Sequence, residues 1–313
     1  MSASTATPSA VVFAYHDVGV RCLKVLLAQG VRVTLVLTHD DDPKERVWFG
    51  NVAGLAAERG IPAITPDDPN TPQVMERIGA LEPDFIFSFY YRRMLSPAVL
   101  SLARRGAFNM HGSLLPKFRG RVPVNWAVIK GASETGATLH EMVEKPDAGR
   151  IVGQQAVSIG PDDTAHAVFL KVVDASVAVL ERCLPALVDG SAVLRPQDLT
   201  QGSYFSGRKP EDGRIDWRLG AQDIHNLVRG VAPPYPGAFA QLPGTSADGT
   251  GPTLRILRSK IEPTRRARPG GPGLYCESGV YYADCADARV LRLLELEGAP
   301  DPAIIGSNKI ALH

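Results

Sequence analysis

The chain has 313 residues, a length that suits two domains, and its 34 Lys and Arg against 33 Asp and Glu leave a net charge of +1. So even a balance excludes a broad cationic surface that would hold nucleic acid by counterion release. Hydrophobic residues make up 44% without a long apolar run, which leaves no candidate membrane span, and Cys22, Cys183, Cys276 and Cys285 form no C-x-x-C pair, so neither a disulfide framework nor a thiolate metal site is indicated.

Residues 1–10 are small and polar, lack the basic start and apolar middle of a secretory signal, and predict a cytoplasmic protein. Five short apolar runs read as strands: Val11 to Tyr15, Val31 to Thr38, Ile61 to Thr65, Phe85 to Phe89 and Ala107 to His111. Helix-period segments lie between them, from Gly19 to Gln29, Gly50 to Arg59, Thr71 to Leu81 and Ser96 to Ala103. Asn70 and Ser96 are the expected N-caps, and Gly30 and Gly60 the expected stops. Strand and helix repeated with short connections predict an α/β class, a Rossmann-like and mostly parallel sheet with right-handed crossovers. From Asp163 to Leu187 a longer amphipathic helix sets Val168, Phe169, Val172, Val179, Leu180, Cys183 and Leu187 on one face, which makes Cys183 a core residue.

Around Ser203 to Gly213 the texture turns to glycine, serine and charge, and the boundary belongs there: residues 1–205 form a catalytic domain and 206–313 a smaller β-rich one. Asp223 to Arg229 reads as a helix. Leu254 to Leu257, Gly273 to Cys276, Val280 to Tyr282 and Val290 to Glu297 fit strands of a small barrel or sandwich, with flexible loops at Gly244 to Pro252 and Pro263 to Pro272.

In open α/β sheets ligands bind beyond the carboxyl ends of the strands. The fifth strand ends in Phe108-Asn109-Met110-His111-Gly112-Ser113-Leu114-Leu115-Pro116, and alternation turns Asn109 and His111 to one face, where an amide and an imidazole can converge on one ligand atom. The alternative is a strand-end His and Asn satisfied by backbone groups. Downstream, the turn Met142-Val143-Glu144-Lys145-Pro146-Asp147-Ala148-Gly149-Arg150 lies between two strand-like stretches, and its Asp147 is either a turn former or a carboxylate reaching the imidazole. An oxyanion donor, a proton-transfer group and a carboxylate that raises the imidazole pKa suit acyl transfer to an amine. Lys117, Arg119 and Arg121 make a basic cluster beside the motif that suits an anionic ligand or an ordinary solvated face. Tyr15, Tyr90 and Tyr91 lie at strand ends, for stacking on a ligand or for packing. There is no G-x-G-x-x-G after the first strand, so NAD is not expected.

Asn109-x-His111 with the following Gly-Ser-Leu-Leu-Pro-Lys-x-Arg-Gly, and then Asp147-Ala-Gly, resembles the 10-formyltetrahydrofolate-dependent formyltransferases. The likeness runs from Phe13-Ala14-Tyr15-His16-Asp17 through Phe87-Ser88-Phe89-Tyr90-Tyr91-Arg92 to Pro234-Tyr235-Pro236-Gly237-Ala238-Phe239. Within the family it is similar to the branch that formylates UDP-4-amino-4-deoxy-L-arabinose in lipid A modification and polymyxin resistance. The resemblance implies Asn109 as oxyanion stabiliser, His111 as catalytic acid/base and Asp147 as the group that tunes it. It implies an OB-like C-terminal domain, no metal, and 10-formyltetrahydrofolate as co-substrate, held by Arg93, Met94, Leu95, Arg121 and the turn of Val143, Glu144, Lys145, Pro146 and Asp147. Glu144, Lys145 and Pro146 depart from the branch's pattern of a basic pair followed by Ala, and Pro146 has no N–H to donate.

The implied partner is an amino nucleotide sugar, with a homo-oligomer or a separate decarboxylase left open; the glycine-rich start of a fused decarboxylating dehydrogenase is not expected before His313. Among the rivals, a methionyl-tRNA formyltransferase is disfavoured by Asp40, Asp41 and Asp42, which would repel phosphate. Another amino nucleotide sugar preserves every feature above. A non-catalytic folate or nucleotide-sugar binding module would not need all three catalytic residue types.

Overall fold

The computed structural model describes residues 7–41, 47–244, 250–305 and 308–312, and every count and absence is of these residues. β1 (Ser9–Ala14), α1 (His16–Ala28), β2 (Arg32–Leu37), α2 (Val52–Glu58), β3 (Ala63–Ile64), α3 (Pro72–Gly79), β4 (Phe85–Phe89), α4 (Pro97–Leu100) and β5 (Gly106–His111) alternate as the apolar runs predict. β1 and β4 are buried along their whole length, which is why they read as unbroken apolar runs rather than alternating ones. Gly30 and Gly60 follow α1 and α2 with φ of 80° and 64°, the left-handed conformation that stops a helix. Ser96 caps α4 through its hydroxyl. The cap of α3 is Thr71, not Asn70: Thr71 accepts from Val74 N, while Asn70 ties Met94 O and Ser96 N together across the loop before α4.

After β5 the chain runs through β6 (Arg119–Gly120), α5 (Pro123–Ile129), β7 (Glu134–Glu141), β8 (Ile151–Ser158), α6 (Ala165–Asp189) and β9 (Tyr204–Phe205). The main sheet has the order β3-β2-β1-β4-β5-β7-β8; its first five strands are parallel, and β7 runs antiparallel to β5. This is the expected Rossmann-like, mostly parallel sheet. Helix α6 buries Val168, Phe169, Val172, Val179, Leu180 and Leu187. Cys183 is only half-buried, at the edge of that face, where its Sγ lies against Gly153 of β8.

The last third holds α7 (Ala221–Gly230), β10 (Ala238–Pro243), β11 (Thr250–Glu262), β12 (Gly273–Glu277), β13 (Val280–Asp284), β14 (Val290–Glu297), α8 (Pro302–Ile305) and β15 (Ile310–Ala311). Its antiparallel sheet has the order β10-β11-β14-β13-β12-β15, with the two edge strands near one another, a nearly closed barrel. Trp217, Ile224, Val228, Leu254, Ile256 and Leu291 form its core. Residues 245–249 of the expected flexible loop lie outside the described residues, as does Asp42 of the acidic run. The chain forms two compact units. One takes the residues up to Pro123, Thr135–Val157 and Leu170–Phe205; the other takes Val124–Glu134, Ser158–Phe169 and Ser206 onward. No helix among the described residues is long and apolar enough to cross a membrane.

Candidate active site

The site is built where β5 ends between a parallel and an antiparallel neighbour. Pairing of β5 with β7 sets Asn109 opposite His140 and His111 opposite Thr138. Beyond His111 the chain folds back through a loop pinned by side chains: Ser113 Oγ donates to Lys117 O at 2.6 Å, Thr138 Oγ1 donates to Ser113 O at 2.6 Å, and Gln154 Nε2 donates to Leu115 O at 2.9 Å. The loop ends in β6, which pairs with β9, and Phe118 stacks on Phe205 with ring centroids 5.7 Å apart. This brings Phe118 O to 2.9 Å from His111 Nε2.

A carbonyl only accepts, so Nε2 carries the proton of the neutral imidazole and Nδ1 holds the open lone pair. That nitrogen lies 3.5 Å from Asp147 Oδ1. The Asp147 turn is fixed by Gln197, whose Nε2 donates to Asp147 O at 3.0 Å and to Gly149 O at 2.6 Å, and Asp147 Oδ2 accepts from Gly120 N at 2.8 Å. Asp147, Phe118 and Tyr90 all sit at positive φ, of 52°, 56° and 58°, strain concentrated around one site.

The second imidazole, His140, was not singled out from the sequence. Its Nδ1 lies 2.8 Å from Glu141 O, so Nδ1–H donates there and Nε2 accepts from Asn109 Nδ2 at 3.1 Å; the same Nε2 is 3.5 Å from Asp147 Oδ1. The Asn109 amide is thereby oriented, with one N–H spent on His140 and the other left for a ligand. The available signal was a lone histidine in an apolar strand pairing with the strand that carries the motif.

Electrostatics corrects one expectation. His111 has its pKa lowered, not raised: burial favours the neutral ring, and Asp147 and Phe118 O only partly offset it. For Asp147 the balance goes the other way. Burial pushes its pKa up, but His111, His140 and the Gly120 N–H together hold it well below the usual carboxylate range.

Arg93 and Met94 are exposed after β4, whereas Leu95 is buried in the hydrophobic cluster against which Met142 packs, so the turn carrying Val143, Glu144 and Lys145 lies beside them. Met94 is 59% and Val143 40% exposed, large apolar surface at the rim of the site. Arg121 and Lys117 are exposed; Arg119 is half-buried, with its Nε lacking a partner among the described residues. Tyr15 is committed to packing: it lies edge-on to His39 and Phe49 and donates to Asp41 Oδ1 at 2.7 Å. Tyr91 stacks on His39, and the Tyr90 phenol lies against Gly112 beside His111. No cluster of three His, Cys, Asp or Glu suited to a metal occurs among the described residues.

Comparison with known proteins gives two family matches: "Formyl transferase" over residues 21–184 and "Formyl transferase, C-terminal domain" over 208–303. Among solved structures, an N-formyltransferase from Helicobacter canadensis, in complex with folinic acid and dTDP-3-aminofucose, is 19% identical with a TM-score of 0.69, covering 91% of this chain and 98% of its own. WlaRD, a sugar 3N-formyl transferase solved with dTDP and 5-N-formyl-THF, is 17% identical with a TM-score of 0.69 and coverages of 92% and 97%. HypX from Aquifex aeolicus, in complex with tetrahydrofolic acid, is 16% identical with a TM-score of 0.63, covering 96% of this chain but 47% of its own. At these identities the likeness is one of fold.

Proposed function

This chain belongs to the formyl transferase family, and on that premise we propose that it moves a formyl group from 10-formyltetrahydrofolate to the amine of UDP-4-amino-4-deoxy-L-arabinose. The observation that carries the reading is the convergence of Asn109, His111 and Asp147, with His111 Nδ1 open and 3.5 Å from the carboxylate. 10-Formyltetrahydrofolate supplies an N-formyl carbonyl. Met94 and Val143 offer apolar surface for its rings, with Leu95 beneath, Glu144, Lys145 and Pro146 on the adjoining turn, and Arg93 and Arg121 as cations for its glutamate carboxylates.

In the proposed mechanism Asn109 donates its second amide hydrogen to the formyl oxygen as the amine adds and the carbonyl electron pair moves onto that oxygen. His111 Nδ1, neutral at rest, takes the proton that the amine releases on forming the new C–N bond. Asp147 faces the resulting imidazolium and stabilises it. His111 then returns the proton to the departing folate nitrogen as the old C–N bond breaks and the carbonyl re-forms. Asn109 and His111 therefore act on one carbonyl from one face of β5, without a covalent enzyme intermediate.

The lipid A role, polymyxin resistance and a cytoplasmic location go with this acceptor. A different amino nucleotide sugar is the second reading, favoured by the dTDP-linked compounds named with two of the structural neighbours. Assaying UDP-4-amino-4-deoxy-L-arabinose, dTDP-3-aminosugars and initiator methionyl-tRNA with 10-formyltetrahydrofolate tests both. We expect the highest kcat/KM for the UDP sugar; preference for a dTDP sugar would transfer the assignment, and efficient tRNA formylation without sugar activity would overturn it.

A further inference from the structure

The C-terminal unit contains a cavity of about 190 Å3 that formyl transfer does not use. It is smaller than the ~300 Å3 at which sites for whole small molecules begin, yet several times the ~30 Å3 share of one water. Arg229, Arg258 and Lys260 line it, against a single carboxylate, Asp162.

Arg229 is 6% exposed. Its Nε donates to Asn226 Oδ1 at 2.9 Å, and its Nη1 donates to Gly160 O at 2.9 Å and Asp163 O at 3.1 Å. Nη2 makes no hydrogen bond to any described residue, so a buried guanidinium is fixed in place with two donors unspent. Thr164, also in the lining, caps α6, a helix of 25 residues: its Oγ1 accepts from Ala167 N at 3.2 Å and its carbonyl from Val168 N at 3.0 Å. The positive end of that helix adds to the field. Arg258 and Lys260 come from β11, where the register against β14 shifts on both sides of Arg258. Such a bulge re-aims side chains and lets Arg258, Ser259 and Lys260 line one cavity despite strand alternation. His225, 3% exposed, supplies no charge: it lies 3.1 Å from Pro161 O through Nε2 and 3.0 Å from Ser259 Oγ through Nδ1, a neutral tautomer fully engaged, although Asp162 Oδ1 is 3.5 Å away.

Arg229 is fixed with unused donors beside the exposed Arg258 and Lys260; Asp163 and Asp162 both act on its charge, but neither accepts from Nη2, so an anion that did would join the three cations. We propose that this cavity binds a phosphate group, either as free inorganic phosphate or as the terminal phosphate of a nucleotide. The proposal does not rest on the formyl-transfer reading.

The test is calorimetric titration of inorganic phosphate into the full chain at constant ionic strength, with chloride as the control. The comparison is the double variant R258A/K260A, whose altered side chains are solvent-exposed. Saturable binding by the wild type, weakened about tenfold or more in the double variant with formyl-transfer kcat unchanged, is expected. A nucleoside diphosphate added to the phosphate-loaded protein separates the sources: displacement that the double variant abolishes identifies a nucleotide's phosphate, and no displacement identifies free phosphate. R229K, which keeps the charge but loses the planar fork, should also weaken binding. No saturable response beyond chloride, or equal affinity in the wild type and R258A/K260A, overturns the proposal.

Discussion

At the scale of residues, the site turns on which nitrogen of His111 is free. Phe118 O claims Nε2, so in the mechanism proposed above proton transfer falls to Nδ1, and Asp147 acts on the protonated form rather than on the resting one. Asp147→Asn removes the largest upward influence on the His111 pKa. We expect NMR titration to show that pKa falling further, with kcat near neutrality lower by about a hundredfold or more, the scale of general-base assistance; an unmoved pKa would refute the coupling. His140 makes a different prediction. If it acts by orienting the Asn109 amide, His140→Ala should lower kcat by about tenfold with little change in folate KM, and Asn109→Ala by about a hundred- to a thousandfold. The double variant should then be no worse than Asn109→Ala alone, and additive losses in that cycle would separate the two residues. Strand alternation and a turn offered Asn109, His111 and Asp147 as candidates beside plainer structural readings, and it was the family resemblance that singled them out together. His140 was not legible, since its role depends on the β5–β7 register. The sign of the His111 shift was also out of reach, because it is set by burial, which only the folded packing around β5 determines.

At the scale of elements, local patterning located the five parallel strands and their helices, with Phe85–Phe89 bounded as predicted. It misplaced the α3 cap by one residue, because Asn70 and Thr71 are both good caps and only the tertiary loop decides that Asn70 serves Ser96 instead. The two-residue strands β6 and β9 carry no periodicity and went unread, yet they position the site. Gly120 of β6 has φ of 98°, a Cβ there would collide with the Phe205 carbonyl, and its N–H serves Asp147. Gly120→Ala should destabilise the protein by about 1–3 kcal/mol, the cost of a strained backbone, and lower kcat as well. Chemical denaturation and steady-state kinetics check this; wild-type values for both would show that the β6–β9 pairing does not support the site.

At the scale of the whole molecule, three histidines fold in surroundings that favour the neutral ring. Burial lowers the pKa of His111 and His225, and burial with Arg92 and Arg93 lowers that of His39 to about 4. Since the unfolded chain takes up these protons near the ordinary value of 6.5, stability is present above that pH and is lost as pH falls towards 4. Asp147, held low, keeps its contribution until pH drops below the usual carboxylate range. Thermal unfolding followed from pH 7 to pH 4 should show this decline, reduced when His39 is replaced by Gln; a flat profile would contradict it. The central claim is that the Asn109, His111 and Asp147 constellation carries formyl transfer to a sugar amine. Its most direct test is the rate of UDP-4-amino-4-deoxy-L-arabinose formylation by the wild type and Asn109→Ala at saturating 10-formyltetrahydrofolate. A fast wild-type reaction, slowed about a hundred- to a thousandfold in the variant with folate affinity kept, is the predicted result; an Asn109→Ala enzyme with wild-type kcat would contradict it.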